Sequence, residues 1–337
     1  MTTLTVLKEV WPIAGSFTIS RGSKTAAEVV VAQVARGGHV GRGECVPYAR
    51  YGESVDAVAA ALEALRDDLA QPGFDRAALR AKMPAGAARN ALDCALWDLE
   101  AKESGIPAWQ AAGVSAPAPV VTAQTVSLGT PEEMRASAAK LANSPLLKLK
   151  VGADQVVERV RAVREAAPKA AMIVDANEAW TPDMLADMCA AMADLRVDLI
   201  EQPLPAENDA ALEGFKSPVP LCADESAHTA EGLEALARRY DLVNIKLDKT
   251  GGLTEALDMA RTAQGLGLGI MVGCMVGTSL AMAPAVVLAG MARFVDLDGP
   301  LILAQDRDGG IAFDNGVLYP PQASLWGYSY SHFTCNF

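Results

Sequence analysis

Two textures of apolar and polar positions divide the chain. In residues 1–112 strand-like runs give way to helical spacing. Glu28-Val29-Val30-Val31-Ala32-Gln33-Val34 is a β-branched run that ends at the turn signal Gly37-Gly38. Val40 to Cys45 predicts a second strand, paired with the first as a hairpin. Helices are predicted over about 55–70 and about 75–82. From Ala87 to Leu99 apolar residues fall at 88, 91, 92, 95, 96 and 99, the helical period, and Gly105-Ile106-Pro107 predicts the stop. Strands followed by helices describe an α+β unit.

From residue 117 the texture is short apolar strands alternating with helical stretches rich in Ala, Leu, Glu and Arg. Strands are predicted at 119–127, 146–151, 171–176, 197–202, 219–224, 242–247, 268–273 and 293–297. Their apolar character on both faces is that of buried parallel strands. Eight strands with crossover helices predict an α/β fold, a (β/α)8-type TIM barrel with an N-terminal α+β capping domain. The expected division is a cap over 1–112, a modified barrel over 117–300 and a C-terminal segment over 301–337. Through Trp326, Tyr328, Tyr330 and Phe333 that last segment is expected to pack back on the cap.

Polar residues mark the strand ends. Thr125, Lys150, Asp175, Glu201, Asp224, Lys246, Cys274 and Asp298 follow one another at intervals of 22 to 28 residues, one βα unit each. In a TIM barrel the C-terminal strand ends carry the active site. Asp175, Glu201 and Asp224 end the third, fourth and fifth strands, adjacent staves whose side chains can converge. Three carboxylates without histidine or thiolate favour a hard, oxygen-loving cation, Mg²⁺ first. Capping of the following helix is the competing role for any one of them alone.

Lys148 and Lys150 lie two apart on the second strand and so face the same side, inward. Two ammonium groups this close are expected to push one pKa down and make a neutral base available. Lys246 ends the sixth strand, four staves away, and approaches the axis from the opposite side. A substrate held at the metal would have a lysine on each face. That arrangement suits removal of a proton from carbon on one face and delivery on the other. A proton α to a carboxylate is very weakly acidic, and a divalent cation stabilises the enediolate charge that its removal builds. By strand period Asp248 is expected near the metal site, and Lys249 is expected to point outward or into the loop.

Composition narrows the class. The 337 residues are 51% apolar and 21% charged, ample for a core and unlike a disordered chain. A net charge of −12 and a pI near 4.8 argue against nucleic acid or an anionic membrane as partner. No 18-residue apolar run free of charge predicts a transmembrane helix. The first residues lack a basic and then apolar leader, and the six cysteines lack CxxC spacing, so a cytoplasmic protein with free thiols is expected. A homo-oligomer is left open.

The set Lys148-x-Lys150, Asp175-x-Asn177, Glu201-Gln202-Pro203-Leu204, Asp224-Glu225-Ser226 and Asn244-Ile245-Lys246 resembles the enolase superfamily, muconate-lactonizing subgroup. The resemblance spans nearly the whole chain, including Arg89-Asn90-Ala91-Leu92-Asp93 of the cap. Within the subgroup it is most similar to the dipeptide epimerases of the L-Ala-D/L-Glu type. It implies Mg²⁺ on Asp175, Glu201 and Asp224, Lys150 and Lys246 as acid/base pair, and Lys148 as electrostatic assistant. Asp296 and Asp298 share a side by period two and make most sense binding something cationic; the resemblance implies the α-ammonium of a dipeptide. It further implies Arg21, on a cap loop, for a glutamyl γ-carboxylate, and Thr125, Cys274 and Met275 against the substrate.

Three other readings stay open. An N-acylamino acid racemase or o-succinylbenzoate synthase of the same superfamily would leave the aspartate pair without a cation. A Schiff-base aldolase would leave the carboxylate triad without a purpose. A non-catalytic metal-binding barrel would leave the lysine pair unused.

Overall fold

A computed structural model describes residues 2–328. The cap opens on β1 (Thr3–Ile19), a strand the sequence reading did not mark. It pairs antiparallel with β2 (Gly22–Arg36), whose other edge carries β3 (His39–Cys45) as the expected hairpin partner. Pro12, Gly15 and a register shift between Pro12 and Phe17 interrupt β1, which hides its alternation. Helices α1 (Val55–Glu63), α2 (Arg66–Leu69), α3 (Arg76–Lys82) and α4 (Ala87–Ser104) follow. Ser54 and Asp75 cap α1 and α3 by accepting from Ala57 N and Ala78 N. The helix expected over 55–70 is two, α1 and α2. Gly105, left-handed at φ 74°, ends α4 where the sequence placed the stop.

Helix α4 lies directly on the cap sheet. A Cβ at Gly41 or Gly43 would stand 2.1 Å from the carbonyl oxygen of Ala95 or Ala91, so only glycine lets β3 come this near the helix backbone.

The barrel strands are β4 (Gln124–Val126), β5 (Leu146–Lys150), β6 (Ala171–Asp175), β7 (Leu199–Glu201), β8 (Leu221–Ala223), β9 (Leu242–Ile245), β10 (Gly269–Gly273) and β11 (Phe294–Asp296). They form one eight-stranded sheet in sequence order, parallel throughout. Its two ends meet where Ala123 N donates to Val295 O at 2.8 Å and Leu297 N to Thr122 Oγ1 at 2.9 Å, which nearly closes the barrel. The first predicted strand, 119–127, is split. Val120–Val121 leaves the barrel to pair with Val317–Leu318, and only β4 is a stave.

Ala123, Leu146, Ile173, Leu199, Cys222, Leu242 and Met271 form an apolar cluster contributed by consecutive staves. Leu146 belongs to it, so Lys148 and Lys150, two and four residues on, share its inward side higher in the barrel. An apolar floor beneath charged side chains raises the strength of every interaction between them.

Polar bonds join cap to barrel. Arg89 donates to Thr250 O at 2.7 Å and Gly251 O at 3.1 Å. Thr254 N donates to Asp93 Oδ2 at 3.0 Å. Trp326 Nε1 donates to Cys94 O at 2.9 Å, and Gly327 N to Asp98 Oδ1 at 2.7 Å, which bring the chain's later part against α4. Tyr330 and Phe333 of the expected packing lie outside the described residues, as do His332 and Cys335. Cys45, Cys94, Cys189, Cys222 and Cys274 are free thiols. Among the described residues no helix is long and apolar enough to cross a membrane.

Candidate active site

Strand register assembles the centre. Lys150 pairs with Asp175, Asp175 with Glu201, and Glu201 with Cys222, so one level of the barrel carries a lysine and two carboxylates on neighbouring staves. Asp224 follows one residue beyond β8. One carboxylate oxygen from each of Asp175, Glu201 and Asp224 lies within 4.8 Å of the others, and all three residues are buried. Three buried carboxylates repel one another unless cations intervene. Lysines intervene on every side.

Lys150 Nζ donates to Asp175 Oδ2 at 2.6 Å. Lys246 Nζ donates to Asp224 Oδ2 at 2.7 Å. Lys148 Nζ lies 2.8 Å from Asp296 Oδ2, 2.7 Å from Glu201 Oε2 and 3.3 Å from Asp175 Oδ2. The approach to Glu201 is charge contact without hydrogen-bond alignment, so among the described residues Glu201 Oε2 is a buried oxygen with no directed donor. An all-oxygen donor set with such an oxygen fits a hard divalent cation.

The electrostatics revise one expectation. Burial alone would lower Lys148, but Asp296, Glu201 and Asp175 outweigh it and hold the ammonium well above its ordinary range. Lys246 behaves likewise, with Asp224 overcoming the cost of burial. The expected depression of one lysine by its neighbour at 148/150 is therefore not found at Lys148: the carboxylates around it outnumber the lysines. Burial works to raise Asp175, yet Lys150 and Lys148 bring it down to about 2. Glu201 goes the other way, to about 7, through burial and then the Asp175 charge.

Two expectations near β9 are corrected. Lys246 is the residue before a short helix, Leu247–Thr250, so strand period ends there. Asp248 consequently turns away from the carboxylates and accepts from Val46 N at 3.0 Å and Asn90 Nδ2 at 2.8 Å at the cap junction. Lys249 is fully buried, not outward, and donates to Asp224 Oδ1 at 2.6 Å, to Asp224 O and to Asn244 O. It steadies Asp224 from the side opposite Lys246. The sequence reading names Gln202 within the Glu201-Gln202-Pro203-Leu204 motif but assigns it no contact. Its Oε1 accepts from Asp224 N at 2.8 Å, and its Nε2 donates to Ser226 Oγ and Tyr240 OH. Its place beside Glu201 was the available signal.

The remaining named residues ring the barrel mouth. Among the described residues Asp296 Oδ1 is buried without a partner, and Asp298 Oδ2 accepts from Thr125 N at 2.6 Å. Burial and then Asp296 push Asp298 up to about 7. Cys274 and Met275 follow β10, half-buried. The Cys274 thiol is raised by burial and by Asp296 and Asp298, which makes it inert as a nucleophile. Arg21 reaches down from the β1–β2 turn to Glu225 Oε1 at 2.7 Å, Glu178 Oε2 at 3.0 Å, Asn177 O at 3.0 Å and Tyr48 OH at 3.1 Å. Asn177 N donates to Asp175 Oδ1 at 2.9 Å and fixes that carboxylate. His228 meets Glu225 O through Nε2 and packs edge-on to Tyr51.

Residues 1–113 match the family described as mandelate racemase / muconate lactonizing enzyme, N-terminal domain, and residues 133–330 match enolase C-terminal domain-like. The chain belongs to the enolase superfamily. A curated superfamily relative, L-Ala-D/L-Glu epimerase of Escherichia coli (strain K12), is 49% identical over 95% of this chain and 100% of its own length. N-acetyl-D-glutamate racemase of a Pseudoalteromonas species is 46% identical over 89% of this chain and 95% of its own. The superfamily fold is matched by the crystal structure of an enolase family member from Agrobacterium tumefaciens. That protein has homology to dipeptide epimerases and is described with bound sodium, L-Ala-L-Glu and an ordered loop. The likeness has a TM-score of 0.95 at 52% identity and covers 97% of this chain and 100% of that one.

Proposed function

We propose that the chain is a Mg²⁺-dependent dipeptide epimerase that interconverts L-Ala-L-Glu and L-Ala-D-Glu by moving the glutamyl α-proton. The observation that carries this reading is the pair of buried lysines, each on a different carboxylate of the triad, Lys150 on Asp175 and Lys246 on Asp224. A single-base enzyme has no use for two.

Lys150 and Lys246 stand on opposite sides of the carboxylate group, and either can serve as base while the other serves as acid. The lysine that acts as base, once it has given up its own proton, takes the α-proton, and the electrons of the C–H bond pass toward the substrate carboxylate. The ammonium on the opposite face then gives its proton to the same carbon and inverts it. Asp175, Glu201 and Asp224 would hold a divalent cation, which would supply positive charge to stabilise the doubly charged carboxylate. Lys148, charged and buried, adds a further positive charge at the centre. Asp296, with its unpartnered oxygen, and Asp298 take the dipeptide ammonium. Arg21 supplies the cation for the glutamyl γ-carboxylate, through the nitrogen that faces the centre. Thr125, Cys274 and Met275 line the same mouth. A cytoplasmic enzyme that recycles cell-wall peptides is the setting this substrate implies.

A second reading, racemisation of N-acylated glutamate, is favoured by the 46% identity to the Pseudoalteromonas racemase. Both substrates carry the acidic side chain, so the difference lies at the amino end, where Asp296 and Asp298 sit. The deciding assay offers L-Ala-L-Glu and N-acetyl-L-glutamate side by side with Mg²⁺ and follows product chirality by chromatography. Conversion of the dipeptide alone, or far faster, supports the proposal. Conversion of only the N-acetyl compound overturns it in favour of the second reading.

A further inference from the structure

Glu178 lies three residues past Asp175, on the loop that leaves β6, and nothing in the reaction described above uses it. Its side chain is 8% exposed although it sits at the barrel mouth. Both carboxylate oxygens are fully engaged. Oε1 accepts from Arg50 Nη2 at 2.9 Å and Ala206 N at 3.0 Å; Oε2 accepts from Arg50 Nε and Arg21 Nη1, both at 3.0 Å. Arg50 thus grips it with two parallel bonds, the stronger form of guanidinium–carboxylate pairing.

The three partners come from three segments. Arg21 belongs to the β1–β2 turn of the cap. Arg50 belongs to the tight turn around Ala49–Tyr51, which ends at left-handed Gly52. Ala206 follows β7 in the barrel. One carboxylate therefore ties both cap loops to the rim. The backbone beneath it is unusual: Asn177 and Glu178 are consecutive left-handed residues, at φ 45° and 68°, and neither is glycine. Such a conformation costs energy and persists where the surroundings enforce it. Here it turns the Glu178 side chain up toward the cap while Asn177 N stays on Asp175 Oδ1. Neighbouring contacts run the same way. Ser20 Oγ donates to Asn177 O at 3.0 Å, Leu128 N to Thr18 O at 3.0 Å, and Tyr51 packs edge-on to His228 with ring centroids 4.7 Å apart.

We propose that Glu178 is a positioning residue for substrate selection: with Arg50 it latches the two cap loops to the rim and sets the Arg21 guanidinium over the mouth. Arg21 has two terminal nitrogens. Nη1 is held by Glu178 and the Asn177 carbonyl, and Nη2 faces Glu225 and Tyr48, toward the centre. The latch aims the inner nitrogen. This rests on the dipeptide reading, in which Arg21 meets the glutamyl carboxylate, and it makes discrimination between acidic and neutral second residues depend on a group that does not touch substrate.

The test compares Glu178→Gln with the parent chain on L-Ala-L-Glu and on the isosteric, uncharged L-Ala-L-Gln. Hydrogen exchange of residues 17–24 and 48–53 is measured without substrate. The latch predicts faster exchange in both loops. It also predicts a KM for L-Ala-L-Glu raised roughly tenfold, against a change of less than about threefold for L-Ala-L-Gln, with kcat held within about threefold for both. Arg50→Lys keeps the charge but loses the fork and shifts both readouts the same way, which preserves the test if Glu178→Gln folds poorly. Equal losses on the two dipeptides, or unchanged exchange in the loops, overturn the proposal. Failure of the parent chain to convert either dipeptide counts against the dipeptide reading instead, and the exchange measurement still decides the latch.

Discussion

Lys150 and Lys246 do not touch each other, yet each holds an outer member of one carboxylate row, Asp175 at 2.6 Å and Asp224 at 2.7 Å, with Glu201 between. In the proposed reaction that row would place two proton carriers on either side of the three carboxylates that could hold a metal ion. Replacing either lysine by alanine is expected to lower epimerisation by about 10²–10⁴-fold while the fold is retained. Each variant should still wash the α-proton of one epimer into D₂O, and the two variants should differ in which epimer they exchange. NMR of both dipeptide epimers with each variant checks this, and full activity in either variant contradicts two-base transfer.

The triad without a cation carries mutual repulsion, and its ligand would bind the folded chain alone. Mg²⁺ should therefore raise the melting temperature, by ~2.7 kcal/mol of stabilisation at one hundred times Kd. EDTA should abolish turnover. Glu201→Gln should remove both the melting shift and the activity. A melting temperature indifferent to Mg²⁺ would argue that the carboxylates serve only the lysines.

At the amino end of the substrate, Asp298→Asn removes a charge partner that a dipeptide ammonium needs. KM for L-Ala-L-Glu should rise about tenfold to a hundredfold, the worth of a charge-assisted hydrogen bond. Mg²⁺ affinity, measured calorimetrically, should stay within about twofold of the parent. An unchanged KM would detach Asp298 from the ammonium.

Much of this site was legible because a barrel repeats. One polar residue per βα unit pointed to Lys150, Asp175, Glu201 and Asp224; the register puts the first three at one level, and Asp224 stands two residues beyond Cys222, the partner of Glu201. Period two failed at Asp248 and Lys249, where Lys246 passes straight into a helical turn that no local breaker announces. β1 stayed hidden because Pro12 and a register shift interrupt its alternation. The latch at Glu178 joins residues 128 and 157 positions apart, Arg50 and Arg21, and no local pattern carries such a relationship.

Asp248 gives the cap junction a pH dependence of known sign. Burial pushes its carboxyl up to about 7, against hydrogen bonds from Val46 N and Asn90 that pull it down. A carboxyl raised on folding contributes stability that is full below its unfolded value near 4 and is lost as pH rises through 7. The loss is at most ~4 kcal/mol. Urea unfolding should show stability falling between about pH 4 and 7, and Asp248→Asn should reduce that fall. The same slope in both proteins would place the titration elsewhere.

The central claim is proton transfer between two lysines across one carbon. Its most direct measurement is conversion of L-Ala-L-Glu by the parent protein with Mg²⁺ in D₂O, stopped early, with mass spectrometry on the separated epimers. Two-base transfer predicts deuterium at the glutamyl α-carbon of essentially every L-Ala-D-Glu molecule, little in the remaining substrate, and no conversion with EDTA. An L-Ala-D-Glu product that keeps the original proton would contradict it.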